Sequence, residues 1–130
     1  MKNEVMEVFH AYTEALSKGD LGAVFETMSD NIVWHMGGES SLSGVIVGKQ
    51  ALGERLGEFS KRSNGTFRVI TNWAASNDCF VAASVVSLAE RGEEKLNDPG
   101  IDLFRIENGK IQEVWTFAEK QEEEDKFWEQ

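Results

Sequence analysis

The chain has 130 residues, of which 41% are hydrophobic and 28% charged, with one proline; this suits one globular domain and argues against disorder. Against 13 lysines and arginines stand 23 aspartates and glutamates, a net charge of −10. That field repels phosphate backbones and anionic membrane surfaces, so neither nucleic acid nor membrane is expected as a partner.

Residues 3–17 carry Val5, Val8, Phe9, Tyr12 and Leu16 at three- and four-residue spacing, the pattern of an amphipathic helix. Glu4 and Glu7 sit where a leader sequence needs its apolar stretch, and the single Cys79 cannot close an internal disulfide; a cytoplasmic location is expected. Gly19 closes the helix, and Asp20 is a good N-cap for a second short helix running to Met28. Residues 31–36, NIVWHM, are β-branched and aromatic and predict a strand. The loop GGESSLSG follows, then a brief strand over 45–47. A third helix runs from about residue 49 to 62, with Ala51, Leu52, Leu56 and Phe59 on one side. Strands are predicted over 66–76, 79–90, 95–106 and 110–118, divided by Asn77-Asp78, Gly92 and Asn108-Gly109. The last pair is a type I′ hairpin signal. Pro99 lacks a backbone donor and is expected at an edge or bulge. Residues 119–130 form a charged tail whose EEED run reads as a solvated helix face, although it also carries Phe127 and Trp128.

Helices followed by long antiparallel strands imply an α+β fold. The expectation is one domain over residues 1–130: a cone-shaped, curved antiparallel sheet, a four-stranded meander with three helices on its concave face and an apolar interior. Alternation leaves Ile101, Leu103, Trp115 and Phe117 on the outer sheet face. That second apolar face needs its own cover, and a homodimer through it is expected.

YTEALSKGDLGAVFETMSDNIVWHM, the glycine of VGKQAL before its helix, and IDLFRIENGKIQEVWTF together resemble the nuclear transport factor 2-like (cystatin-like) superfamily. Within it the resemblance is to the SnoaL-like polyketide cyclase and steroid Δ-isomerase branch. The resemblance implies that Tyr12 occupies the place of an oxyanion-hole tyrosine, able to donate to a developing enolate oxygen. Read from its pattern alone, Tyr12 is more commonly a core residue bonded to a backbone carbonyl; the resemblance brings the two readings level. Asp102 shares a strand face with Phe104 and Ile106, and a carboxylate there must be paired, protonated or functional. By resemblance it is a neutral acid beside the tyrosine, as in the isomerases, or the acid and base of a cyclase; otherwise it pairs with Arg105 or Lys95.

The isomerases' general base falls, by the same ungapped spacing, on Met36. A thioether cannot shuttle a proton between carbons, so steroid isomerisation is not expected. His35 is the adjacent titratable group and joins the ligand-binding candidates, although alternation points it away from Trp34 and Met36 unless a bulge turns it in. Trp34, Met36, Val114 and Thr116 are expected to line the ligand wall, or to be plain core. An epoxide-hydrolase-like trio would need a second carboxylate, and Glu113 has the wrong parity relative to Thr116. His10 and His35 lack the spacing of a zinc site, GKQ lacks a phosphate loop's upstream glycine, and nothing beside Cys79 lowers its pKa. No cofactor and no metal are expected. The function expected is a SnoaL-like protein with a mostly apolar pocket for a small hydrophobic carbonyl compound. It would be an isomerase or cyclase using Tyr12 and Asp102; the alternative is a non-catalytic small-molecule binding or dimerisation module.

Overall fold

In the computed structural model, which describes residues 2–129, α1 (Lys2–Ser17) buries Val5, Phe9, Tyr12 and Ala15 along one side. Gly19, at φ 69°, ends it: its N–H reaches Leu16 O at 3.0 Å while Asp20 N reaches Ala15 O at 3.0 Å, satisfying carbonyls the helix leaves open. Asp20 then caps α2 (Leu21–Glu26) by accepting from Ala23 N at 3.1 Å. This helix stops short of Met28, because Met28 opens β1 (Met28–Met36) by pairing with Ile111.

After β2 (Gly44–Val47) comes α3 (Lys49–Arg62), with Leu52 and Phe59 buried and Ala51 exposed. The meander β3 (Arg68–Ser76), β4 (Phe80–Arg91), β5 (Glu94–Glu107) and β6 (Lys110–Ala118) follows the predicted strands within a few residues. Asn108 and Gly109 both have positive φ, 55° and 72°, as a type I′ turn requires. Pro99 pairs with Val86 on one side; on the other it lies past the last β5–β6 pair, Gly100↔Ala118, where its missing donor costs little.

The sheet has six strands rather than four, in the order β2-β1-β6-β5-β4-β3. The N-terminal half supplies the extra two: β1 runs parallel to β6, with Trp34 beside Val114, and β2 pairs antiparallel to β1. One face is covered by α1 and α3 over a core that includes Phe9, Ile32, Leu52, Val81 and Phe104.

The charged tail is the main departure. It folds as a fourth helix, α4 (Gln121–Trp128), and buries Phe127 and Trp128 against Leu42, Phe59, Ala89 and Leu96. Arg62 donates to the Trp128 carbonyl at 2.6 Å and Arg91 to the Phe127 carbonyl at 2.7 Å, so two open carbonyls at the helix end are held by charged donors. Its other side docks on the loop after β1, where Asp125 accepts from Glu39 N at 2.9 Å. Gly38 makes that approach possible: its φ is 95°, and a Cβ there would run into Asp125 and Gln121. The helix therefore closes the end of the cone instead of lying in solvent.

Candidate functional site

On β5, Asp102 pairs with the fully buried Ala83 on one side and with Thr116 on the other, so its side chain faces the helices. It keeps partial access. Among the described residues nothing hydrogen-bonds or ion-pairs with it, and burial pushes its pKa up from 3.8 to about 7. Arg105, one candidate partner, lies on the opposite face, bonded to Glu107 at 2.7 Å and to Glu113 at 3.4 Å.

Tyr12 comes down on the same face from α1, its ring edge-on to Phe104 with centroids 5.3 Å apart. The hydroxyl makes no hydrogen bond among the described residues. Burial first, and then the Asp102 charge, push its pKa up. Two polar groups from α1 and β5 thus face the same interior and feel each other without being paired.

Trp34, Met36, Val114 and Thr116 all lie on that concave wall. Trp34 and Val114 are buried among the core side chains, and the Trp34 indole N–H finds no acceptor among the described residues. Met36 and Thr116 are half-buried and border a cavity of about 30 Å³ at the α4 end.

His35 does not join them. β1 carries its irregularity between Met28 and Val33 and runs in regular register past His35, so alternation holds and the ring points outward. There it stacks on Trp115, with centroids 5.2 Å apart and planes 3° from parallel, and its Nε2 meets Glu113 Oε2 at 2.6 Å. This hydrogen bond, and then Arg105, hold Glu113 below the usual carboxylate range. His35, Glu113 and Arg105 form an outer-face cluster, and His35 is corrected from the ligand-binding set to that surface.

Two interior carboxyl groups escape the sequence reading. Asp98 has the parity of Asp102 and is 2% exposed; its Oδ1 accepts from Lys120 N at 2.8 Å, while Oδ2 is buried and meets no N–H donor among the described residues. Glu124 belongs to the EEED run expected in solvent, yet α4 turns it inward. Burial pushes its pKa up, hydrogen bonding and charge from Asp98 add to this, and the Asp102 charge adds a little more. Helical spacing carries the signal: Glu124 is four residues before Trp128 and shares its buried side.

No curated protein matches the chain. Among solved structures, a protein of unknown function with a cystatin-like fold from Xanthomonas campestris is 31% identical, with a TM-score of 0.91 over 97% of this chain and 98% of that one. Bal32a, from a soil-derived mobile gene cassette, is 23% identical, with a TM-score of 0.91 over 98% of each chain. TerC, co-crystallised with polyporic acid, is 12% identical, with a TM-score of 0.83 over 98% of this chain and 99% of that one. The fold is therefore that of the nuclear transport factor 2-like, or cystatin-like, α+β proteins. Residues 9–114 match the SnoaL-like domain, and the chain belongs to that family.

Proposed function

We propose that the chain binds a small hydrophobic carbonyl compound inside the cone and moves a proton on it, as an isomerase or cyclase does. Tyr12 donates to the carbonyl oxygen as negative charge develops there, and Asp102, which burial keeps neutral below about pH 7, donates beside it or relays the proton. The supporting observation is that these two groups, the buried Tyr12 on α1 and the half-buried Asp102 on β5, face one interior and have no hydrogen-bond partner among the described residues. A polar group in a desolvated site without a partner is costly, and a ligand oxygen repays that cost. TerC, with the same fold, was co-crystallised with polyporic acid.

A second copy of the chain covers the outer sheet face. Ile101 is 36% and Phe117 56% exposed, they are cross-strand neighbours, and Leu103↔Trp115 lies next to them. The lone Cys79, free and half-buried, suits a reducing, cytoplasmic setting.

The test uses phenol as an oxyanion mimic. Wild-type protein should bind it saturably at pH 6, and Tyr12→Phe should weaken binding by up to about tenfold, because a hydrogen bond to the phenol oxygen is lost. Binding that is absent, or indifferent to Tyr12→Phe, would overturn the assignment. A second reading, a non-catalytic carrier of the same ligands, is favoured by Met36 at the position where the isomerases' base falls. Deuterium exchange at the carbon beside a bound ligand's carbonyl separates the two: an enzyme speeds it and a carrier leaves it unchanged.

A further inference from the structure

Of the seven large hydrophobic side chains exposed among the described residues, six lie on the outer sheet face: Val45, Val47, Ile70, Trp73, Ile101 and Phe117. They run from the β2 edge to the β3 edge. Five of the six strands are nine residues or longer. At about 4.8 Å between strands and about 3.3 Å per residue, the face offers about 700 Å². Each partner of a stable pair buries about 800 Å². An apolar face of that size fits a second copy of itself about a two-fold axis.

One part of this face is charged. His35 on β1 lies flat on Trp115, and its Nε2 meets Glu113 Oε2 at 2.6 Å. Arg105 on β5 reaches Glu113 at 3.4 Å and is held more closely by Glu107, at 2.7 Å. The other neighbours are apolar: Val45 beside His35 on β2, Val33 on its own strand, and Phe80 of β4, whose ring is 6.5 Å from Trp115. Two carboxylates, Glu107 and Glu113, therefore share one guanidinium, and the imidazole decides the balance. With His35 neutral, one negative charge is in surplus; with His35 protonated, the cluster is balanced. Nδ1 has no hydrogen-bond partner among the described residues, so the ring gains or loses that proton without giving up its bond to Glu113. In a single copy, His35, Glu113 and Arg105 are half-buried, and water screens the surplus. A second copy removes that water, and two-fold symmetry repeats the same surplus on the facing protomer.

We propose that His35 makes the pairing of two copies through the outer face pH-dependent: each protomer takes up a proton at His35 on association, and the dimer tightens as pH falls from 8 to 6. The dimer then holds more protons than two separate copies, so acid favours it and base releases it. This regulation rests on a second copy covering that face and is independent of what the cone interior binds.

Sedimentation equilibrium of the full chain at pH 6 and pH 8, at constant ionic strength, provides the test. Wild type should dimerise about tenfold or more tightly at pH 6 than at pH 8. His35→Gln keeps an amide donor for Glu113 and should hold dimerisation at the weaker, pH 8 level throughout. Glu113→Gln removes the surplus charge and should hold it at the tighter, pH 6 level throughout. Flat profiles at opposite levels follow from charge balance and not from a packing role. Asp102, Glu124 and His10 lie on the helix side of the sheet and are left in place by both variants, so a pH dependence of theirs would survive His35→Gln. Should one variant not fold, the other and the wild-type profile decide. The switch would be overturned, with the dimer left standing, by equal wild-type dimerisation at the two pH values or by loosening in acid. A pH dependence retained by His35→Gln, or a Glu113→Gln dimer as weak as that of His35→Gln, would overturn it too. Monomer at both pH values at micromolar concentration would overturn the covered face, and the switch with it.

Discussion

Replacing Asp102 with asparagine isolates the effect of burying an ionisable group. In the unfolded chain the carboxyl titrates near 3.8, and in the folded chain at about 7. Between those values the unfolded state has released its proton while the native state still holds it, so native stability falls as pH rises. The slope is about 1.4 kcal/mol per pH unit, and the whole interval amounts to about 4 kcal/mol. Partial access to Asp102 lets water offset some of this, so about 2–4 kcal/mol is expected. Below pH 4 the neutral acid and the amide are nearly equivalent, and wild type and Asp102→Asn should unfold at the same urea concentration. Above pH 7 the variant, which carries no charge to desolvate, should be the more stable by that amount. Urea titrations of both proteins from pH 4 to pH 8, read by tryptophan fluorescence, measure the difference curve. Parallel curves would mean that the Asp102 pKa is unshifted and its carboxylate solvated, and a variant destabilised by more than about 1 kcal/mol at pH 7 would mean that it is ionised and paired; in either case the interior reading would fail.

Trp115→Glu places a charge in the apolar outer face and removes the stack on His35; sedimentation at micromolar concentration should show wild-type dimer and variant monomer, and a monomeric wild type would refute the covered face. Gly38→Ala puts a side chain at φ 95° against Asp125 and Gln121, and should cost about 1–3 kcal/mol with a change in Trp128 emission as α4 loosens; an unaltered urea midpoint would show that the loop does not seat the helix. Wild-type protein should not turn over a β,γ-unsaturated steroid ketone, whereas Met36→Asp, by supplying a base worth about 10²–10⁴-fold, should gain measurable activity. Robust wild-type turnover would mean that another group does the work of the base.

Patterns of period two and three to four residues, and the residues that punctuate them, are local, and so the sequence alone determined most elements and which residues share a face. Gly19 ends α1 and Asp20 caps α2, Asn108-Gly109 forms its tight hairpin, and the parity of β5 puts Asp102 with Phe104 inside and Arg105 outside. The same alternation places His35 outside, because no bulge interrupts β1 beside it. Strand partners and helix docking depend on groups far apart in the chain, and these only the tertiary structure decided. The parallel seating of β1 on β6 rests on Trp34 meeting Val114, eighty residues on. A run of glutamates reads as a solvated face until Phe127 and Trp128 find Phe59 and Leu42, and Arg62 and Arg91 hold the helix end. Burial of those two aromatics turns Glu124 toward Asp98, so an interior carboxyl pair arises from residues whose local sequences announce neither burial nor proximity.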